Sequence, residues 1–136
     1  MKLVKNIITI DGPSGVGKGT LAFSLANRQG WNVLDSGLLY RLVGYLSFQD
    51  ELETTQEIVQ FLKKSKIKLI TNLNESICEI KLNDKILGKE LRNENIASRA
   101  SELAKEAEIR NAIIKIQRDA YDSKKGLIAD GRDMGT

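Results

Sequence analysis

Histidine is absent from this chain of 136 residues, and cysteine and proline each occur once. Histidine catalysis and most zinc sites are therefore excluded, because histidine is the commonest neutral-pH base and a frequent zinc ligand. The single cysteine, Cys78, excludes a framework of disulfides within the chain. Catalysis by this sequence is therefore expected to depend on positioning and charge, without a covalent intermediate.

The chain also lacks any run of about 18 apolar residues, so no transmembrane helix is predicted. Its start, MKLVKNIITIDG, has neither the long apolar region nor the small-residue cleavage site of a secretory signal. The net charge of +3 suits a small anionic ligand and is too weak to indicate nucleic acid as a partner. With 41% apolar and 29% charged residues, the sequence predicts a soluble cytoplasmic protein with no membrane partner.

The first third of the chain alternates between short apolar runs and helical patterns. A β-branched run at 6–11 predicts a buried strand, and a glycine-rich turn and a helix over about 18–28 follow. A second short strand at 31–34 precedes a second helix over about 38–48. This β–turn–α–β–α order is typical of a parallel sheet covered by helices and predicts an α/β fold.

The middle of the chain has a different pattern. A helix over 54–64 is followed by three strand-like segments, at 67–71, 77–82 and 85–87, which are separated by asparagine-rich turns. Short strands joined by tight turns predict a small antiparallel sheet, inserted between the helical parts. We therefore divide the chain into a first core part (1–50), an inserted subdomain (51–95) and a last part (96–136).

The last part is helical from 95 to about 123. Its first apolar stripe comprises Ile96, Ala100, Leu103 and Ala107, and the stripe that follows is shifted in phase. The shift predicts two helices, or one kinked helix, with the break near 106–108. A third short buried strand is expected at 127–129, directly before a polar turn at 130–133.

The strongest functional signal is a glycine-rich loop of the form G-x-x-x-x-G-K between the first strand and the first helix. Glycines allow backbone N–H groups to face phosphate oxygens, the helix start adds its dipole, and Lys18 adds a charge for the β- and γ-phosphates. The alternative is a glycine-rich turn with no ligand. The predicted ATP-binding residues are Gly12, Pro13, Ser14, Gly15, Val16, Gly17, Lys18, Gly19 and Thr20.

One position departs from the general motif. Gly19 stands where a serine or threonine that binds Mg²⁺ usually follows the lysine, and Thr20 comes one residue later. We therefore expect the Mg²⁺ ligand at this position to be displaced or replaced by water, and Thr20 to contact a phosphate oxygen.

A site for a second anion is predicted after the second strand. Ser36 lies at the carboxyl end of that strand, where ligands bind in open parallel sheets, and Arg41 lies one turn into the next helix. Ser36 could equally cap this helix, and Arg41 could be a solvated surface arginine.

Three charged residues follow the third strand. Asp130 occupies the position of the carboxylate that holds Mg²⁺, directly or through water, in phosphate-loop enzymes. Arg132 can neutralise a transferred or accepting phosphate, and Asp133 can accept hydrogen bonds from the exocyclic amine of a base. The alternative is a polar turn, but two carboxylates around Gly-Arg repel each other unless a cation or donor lies between them.

These segments resemble the nucleoside monophosphate kinases, and among them the bacterial cytidylate kinases. The resemblance rests on I-D-G-P-S-G-x-G-K-G-T at 10–20, L-D-S-G-x-x-Y-R at 34–41 and G-L-I-A-D-G-R-D-M-G-T at 126–136, with a looser match at 96–112. It implies a P-loop NTPase-type sheet, with the antiparallel insertion as the monophosphate-binding domain. It also implies transfer of the γ-phosphate of ATP to CMP or dCMP. We further expect Mg²⁺ as a cofactor and a monomeric protein.

The resemblance further implies roles for single residues. Lys18, Asp130 and Arg132 would be catalytic. The residues that would bind CMP are Ser36 (sugar), Arg41 and Arg132 (phosphate), and Ser101, Arg110 and Asp133 (cytosine). Without the resemblance, Ser101 and Arg110 would be read as a surface serine and a helix-end arginine.

The resemblance leaves two alternatives open. Family members are longer, and the three core strands found here are fewer than the roughly five of a typical sheet, so the chain is expected to be truncated at its C-terminus, with an incomplete core and no arginine-rich lid. One alternative is therefore a nucleotide-binding fragment without turnover. The other keeps the kinase activity but changes the acceptor to AMP or UMP.

Overall fold

The computed structural model describes residues 7–10, 18–49, 52–72, 74–75, 77–119 and 127–130. The strands and helices in chain order are β1 (Ile7–Ile10), α1 (Lys18–Gln29), β2 (Asn32–Asp35), α2 (Ser36–Ser47), α3 (Thr55–Lys64), β3 (Ile67–Asn72), β4 (Ile77–Leu82), β5 (Lys85–Leu87), α4 (Glu94–Leu103), α5 (Ala107–Asp119) and β6 (Leu127–Asp130). A short 3₁₀ helix, Lys89–Leu91, connects β5 to α4. The predicted mixed α/β class with an antiparallel insertion is confirmed.

Three strands pair in the order β1-β6-β2, and both pairings are parallel. Asp130 at the end of β6 is the register partner of Ile10 at the end of β1 and of Asp35 at the end of β2. The carboxyl ends of the three strands therefore lie side by side. Helix α1 packs against β6, and α2 begins directly after β2.

The second sheet is antiparallel, in the order β3-β4-β5. A two-residue turn at 83–84 joins β4 to β5, and Asn83 adopts the left-handed conformation there, with φ of 57°. Asparagine tolerates this conformation better than most residues, and the Asn83 side chain also accepts a hydrogen bond from Lys66 N–H at 3.0 Å. This turn therefore connects β4 to β5 and also bonds to the residue that precedes β3.

Helix α2 lies at the centre of the hydrophobic core. It packs against α3, α4, α5 and β4, and its buried apolar side chains are Leu38, Leu39, Leu42, Val43 and Leu46. The spacing of these side chains covers more than one face of the helix, as expected for a helix surrounded by other elements. Because α2 starts right after β2, the core fixes the direction in which the chain leaves the parallel sheet.

The predicted break in the C-terminal helical segment is real. Helix α4 ends at Leu103 and α5 begins at Ala107, so the phase shift marks two separate helices. One detail of the prediction is wrong: Ala107 is exposed and does not continue the buried stripe of α4. As the first residue of α5, it follows the break, and the new helix buries Ile109 and Ile113 instead.

None of the helices in the described ranges is both long and apolar enough to span a membrane.

Candidate functional site

The carboxyl edge of the parallel sheet is the centre of the candidate site. Ile10, Asp35 and Asp130 are aligned there. The three segments singled out by the sequence leave the sheet from these positions: the glycine-rich loop after β1, Ser36 after β2, and the 131–133 segment after β6. Ligands of open parallel sheets bind at this kind of edge.

The structure places the predicted phosphate-loop residues only in part. The backbone of Lys18, Gly19 and Thr20 forms the first turn of α1. The positions Gly12–Gly17 lie outside the described residues, as do Arg132 and Asp133. The N-terminal turn of α1 carries backbone N–H groups without partners in the helix, which is the feature that a phosphate uses.

Ser36 and Asp35 stand at the junction of β2 and α2. Asp35 is the residue that precedes the helix, with φ of −103° and ψ of 102°, and Ser36 is the first helical residue. The alternative in which Ser36 caps this helix is therefore wrong, because Asp35 occupies the N-cap position. Asp35 makes no side-chain capping bond, and it was not among the predicted site residues, although it lies in the L-D-S-G segment.

Arg41 lies on α2, one turn beyond Ser36, with a half-buried side chain. Across the part of the chain that the structure describes, no carboxylate lies within ion-pair distance of Arg41. Arg41 is therefore not committed to an ion pair with any of the described residues.

Gly44 brings α2 and α4 into close contact. A Cβ atom on Gly44 would lie 2.6 Å from the carbonyl oxygen of Ile96 and 3.1 Å from the backbone nitrogen of Ala100. Arg41 lies about one turn before this crossing on α2, and Ser101 directly follows Ala100 on α4. The absence of a side chain at Gly44 thus brings the segments that carry Arg41 and Ser101 together.

A polar contact fixes the same pair of helices one turn further on. Arg99 Nε donates to Ser47 Oγ at 3.3 Å, and Ser47 Oγ donates to the Gly44 carbonyl at 2.6 Å. Arg99 also pairs with Glu102 at 3.0 Å. The Arg99–Ser47 bond thus joins α4 to α2 close to the contact at Gly44, and the other two bonds orient its two side chains.

Ser101 and Arg110 lie on either side of the turn between α4 and α5. The exposed Ser101 donates from Oγ to the Ala97 carbonyl at 3.2 Å. Arg110 is half-buried, and its Nη1 donates to the carbonyls of Ala104 and Lys105 at 3.1 and 2.8 Å. These carbonyls are left without helical partners at the end of α4, so Arg110 closes that helix end. The guanidinium is therefore held in place with Nε and Nη2 still able to donate.

The clefts on the surface of the described residues do not coincide with the candidate site. Two surface clefts, of about 920 and 770 Å³, are lined by α3, α5 and the β3 region and include none of Arg41, Ser101 and Arg110. A cluster of three or more histidine, cysteine, aspartate or glutamate side chains is not found among the described residues.

Comparisons with known proteins agree with one another. The family model described as cytidylate kinase matches residues 8–136. Proteins named cytidylate kinase from Pseudomonas fluorescens (strain Pf0-1) and Proteus mirabilis (strain HI4320) are 41% and 38% identical, over 100% of this chain and 60% of each relative. One from Dichelobacter nodosus (strain VCS1703A) is 41% identical over 98% of this chain and 59% of its own length. The chain thus spans about 60% of the length of these relatives.

Proposed function

Because the chain belongs to the cytidylate kinase family, we propose that it transfers the γ-phosphate of ATP to CMP or dCMP and so produces CDP or dCDP. The observation that carries the proposal is the alignment of Ile10, Asp35 and Asp130 at one sheet edge. The three matched sequence segments all start from that edge, so a phosphate donor and a phosphate acceptor can meet there. We further propose that β1, β6 and β2 belong to a P-loop NTPase-type core.

In this proposal the segment Gly12–Thr20 binds the phosphates of ATP. The start of α1 at Lys18 supports it, because backbone N–H groups and the helix dipole stabilise negative charge at a helix start. Lys18 supplies the charge that stabilises the γ-phosphate during transfer. Catalysis then consists of holding the two phosphates in line and stabilising the charge that spreads over the transferred group.

Arg41, Arg132 and Ser36 hold the acceptor. The place of Arg41 one turn beyond Ser36, and the lack of a carboxylate within ion-pair distance among the described residues, support its role at the phosphate of CMP. Arg132 follows β6 and would face the same phosphate from the neighbouring strand. Ser36, at the start of α2, would contact the sugar.

Ser101, Arg110 and Asp133 would recognise cytosine. The bonds of Arg110 to Ala104 and Lys105 fix its guanidinium, so that the remaining N–H groups can donate to the carbonyl oxygen and ring nitrogen of the base. Ser101 donates to Ala97 and keeps lone pairs that can accept from the exocyclic amine. Asp133 would accept from the same amine.

Asp130 fits the Mg²⁺ ion that such a transfer requires, because carboxylate oxygens are preferred Mg²⁺ ligands and the residue stands at the shared sheet edge. When bound, directly or through water, the ion would neutralise phosphate charge. The residue groups 1–50, 51–95 and 96–136 remain our division into core, monophosphate-binding subdomain and last part. A monomeric cytoplasmic protein also remains a prediction.

The test is product analysis after incubation with ATP, Mg²⁺ and one monophosphate at a time: CMP, dCMP, AMP or UMP. The proposal predicts CDP and dCDP, and strongly reduced formation of both in Lys18→Met. Diphosphate from AMP or UMP in preference to CMP would establish a different acceptor. Binding of ATP and CMP without any diphosphate would favour a nucleotide-binding protein without turnover.

A further inference from the structure

A threonine of the antiparallel sheet bonds to the outer strand of the parallel sheet. The hydroxyl of Thr71, on β3, accepts a hydrogen bond from the Val33 backbone N–H at 3.1 Å and donates one to the Val33 carbonyl at 3.2 Å. The thiol of Cys78, the cross-strand partner of Thr71 on β4, also lies 3.7 Å from that carbonyl. One side chain of the antiparallel sheet thus satisfies both polar backbone groups of a residue in the parallel sheet.

Val33 lies on the outermost described strand of the parallel sheet. Strand β2 is the last in the order β1-β6-β2, so in the described part of the chain only one of its edges pairs with another strand. Thr71 takes the place of a neighbouring strand at the other edge. Two residues beyond Val33, the strand ends at Asp35, and Ser36 begins the acceptor segment.

We infer that Thr71 is a positioning residue for the acceptor site: through Val33 it fixes the end of β2 and, with it, Ser36 and the start of α2. The inference rests on the proposed function, because it takes Ser36 and Arg41 to hold CMP. Without the hydroxyl, the buried Val33 N–H loses its partner, and the Val33 carbonyl keeps only the Cys78 thiol. The outer edge of β2 is then held less tightly.

The strand order predicts that loss of the Thr71 hydroxyl affects CMP binding and not ATP binding. Strand β6 lies between β2 and β1, and the phosphate loop follows β1. A change at the edge of β2 that Thr71 contacts therefore acts on the strand that leads to the acceptor segment. The pairing of β1 with β6, which supports the ATP segment, stays in place. Loss of the hydroxyl is expected to weaken CMP binding and to leave ATP binding unchanged.

The experiment compares Thr71→Val, which keeps the side-chain shape, with Thr71→Ser, which keeps the hydroxyl. Thr55→Val, at the first residue of α3, is the matched control. Calorimetry measures the affinity of each folded variant for CMP and, separately, for ATP, and NMR measures hydrogen exchange at the Val33 amide. In Thr71→Val we expect about tenfold weaker CMP binding, unchanged ATP binding and faster exchange at Val33. Thr71→Ser and Thr55→Val should behave like the wild type.

The outcomes separate the inference from the proposed function. If the wild type binds no CMP, the proposed function fails and takes the inference with it. If the wild type binds CMP and Thr71→Val binds it equally well, or loses CMP and ATP affinity in parallel, the inference alone fails. Unchanged exchange at Val33 in Thr71→Val would likewise overturn it, because the hydroxyl would then not hold the strand.

Discussion

Asp35 and Asp130 are register partners at the carboxyl ends of the neighbouring parallel strands β2 and β6. They lie far apart in the sequence, yet this pairing brings together the end of β2, which Ser36 follows, and the end of β6, which Arg132 and Asp133 follow in the sequence. Ile10, at the end of β1, is the partner of Asp130 on its other side. The proposed donor and acceptor segments therefore follow the ends of three adjacent strands.

Arg41 is expected to act on the acceptor and not on ATP. Replacing it by methionine removes the charge while keeping most of the apolar stem, and CMP affinity should fall by about ten- to a hundredfold, as for a lost hydrogen bond to a charged group. Calorimetry with CMP and ATP measures both affinities. Arg118→Met, which changes an exposed arginine of α5, is the control. Unchanged CMP affinity in Arg41→Met would remove Arg41 from the site.

Gly44 is expected to be intolerant of a side chain. A methyl group there would lie 2.6 Å from the Ile96 carbonyl oxygen, which belongs to the backbone of α4 and cannot move away alone. Gly44→Ala should therefore lower the free energy of unfolding by about 1–3 kcal/mol, the usual cost of overpacking. Urea denaturation measures this change.

The control for Gly44 lies on the same helix. In Gly37→Ala the nearest atom to the new methyl group would be Asp35 Oδ1, at 3.2 Å, which ends a side chain. Its effect on stability should be clearly smaller than that of Gly44→Ala. Equal effects of the two substitutions would contradict a close helix crossing at Gly44.

Arg110 is expected to have two separable effects. Arg110→Ala removes the donor to the Ala104 and Lys105 carbonyls, which should cost about 1 kcal/mol of stability. It should also reduce the preference for CMP over AMP, because a fixed donor to the base is lost. Thermal unfolding and competition between CMP and AMP measure the two effects. An equal loss of CMP and AMP use in Arg110→Ala and in Asp133→Ala would show that these residues do not read the base.

Glu90 should give the protein one specific pH dependence. Its Oε1 accepts a hydrogen bond from Gly88 N–H at 3.0 Å, and this bond, together with one from the Glu90 backbone, lowers the pKa of the carboxyl group. Because the folded pKa is below the unfolded one, the stabilisation is present above the ordinary glutamate pKa and is lost as the pH falls through the lowered value. An NMR titration of this carboxyl group in the folded and the urea-unfolded chain checks the sign, and Glu90→Gln should abolish the contribution. A folded pKa at or above the unfolded one would contradict it.

The sequence predicted features that depend on near neighbours in the chain. The β–turn–α order, the three strands of the insertion and the break before Ala107 all follow from local hydrophobic spacing and turn residues. Arg41 and Ser36 were identified because they stand close to the end of a predicted strand. These expectations needed no knowledge of how distant segments pack.

Contacts between distant segments could not be predicted in the same way. Nothing near Thr71 in the sequence indicates that its hydroxyl bonds to Val33, 38 positions away. Nothing near Gly44 in the sequence shows why a glycine is needed there. The reason is the close approach of the Ile96 and Ala100 backbone from another helix. The role of Arg110 at the end of α4 depends on the angle of the turn between α4 and α5, which hydrophobic periodicity does not determine.

In the proposed function, ATP and CMP bind at one sheet edge and face each other. The most direct measurement is calorimetric titration with a compound in which a chain of phosphates joins adenosine to cytidine. If the two sites face each other, the second half binds as an intramolecular group, and the compound should bind at least about a hundredfold more tightly than ATP or CMP alone. An affinity no higher than that of the tighter single nucleotide would contradict the account.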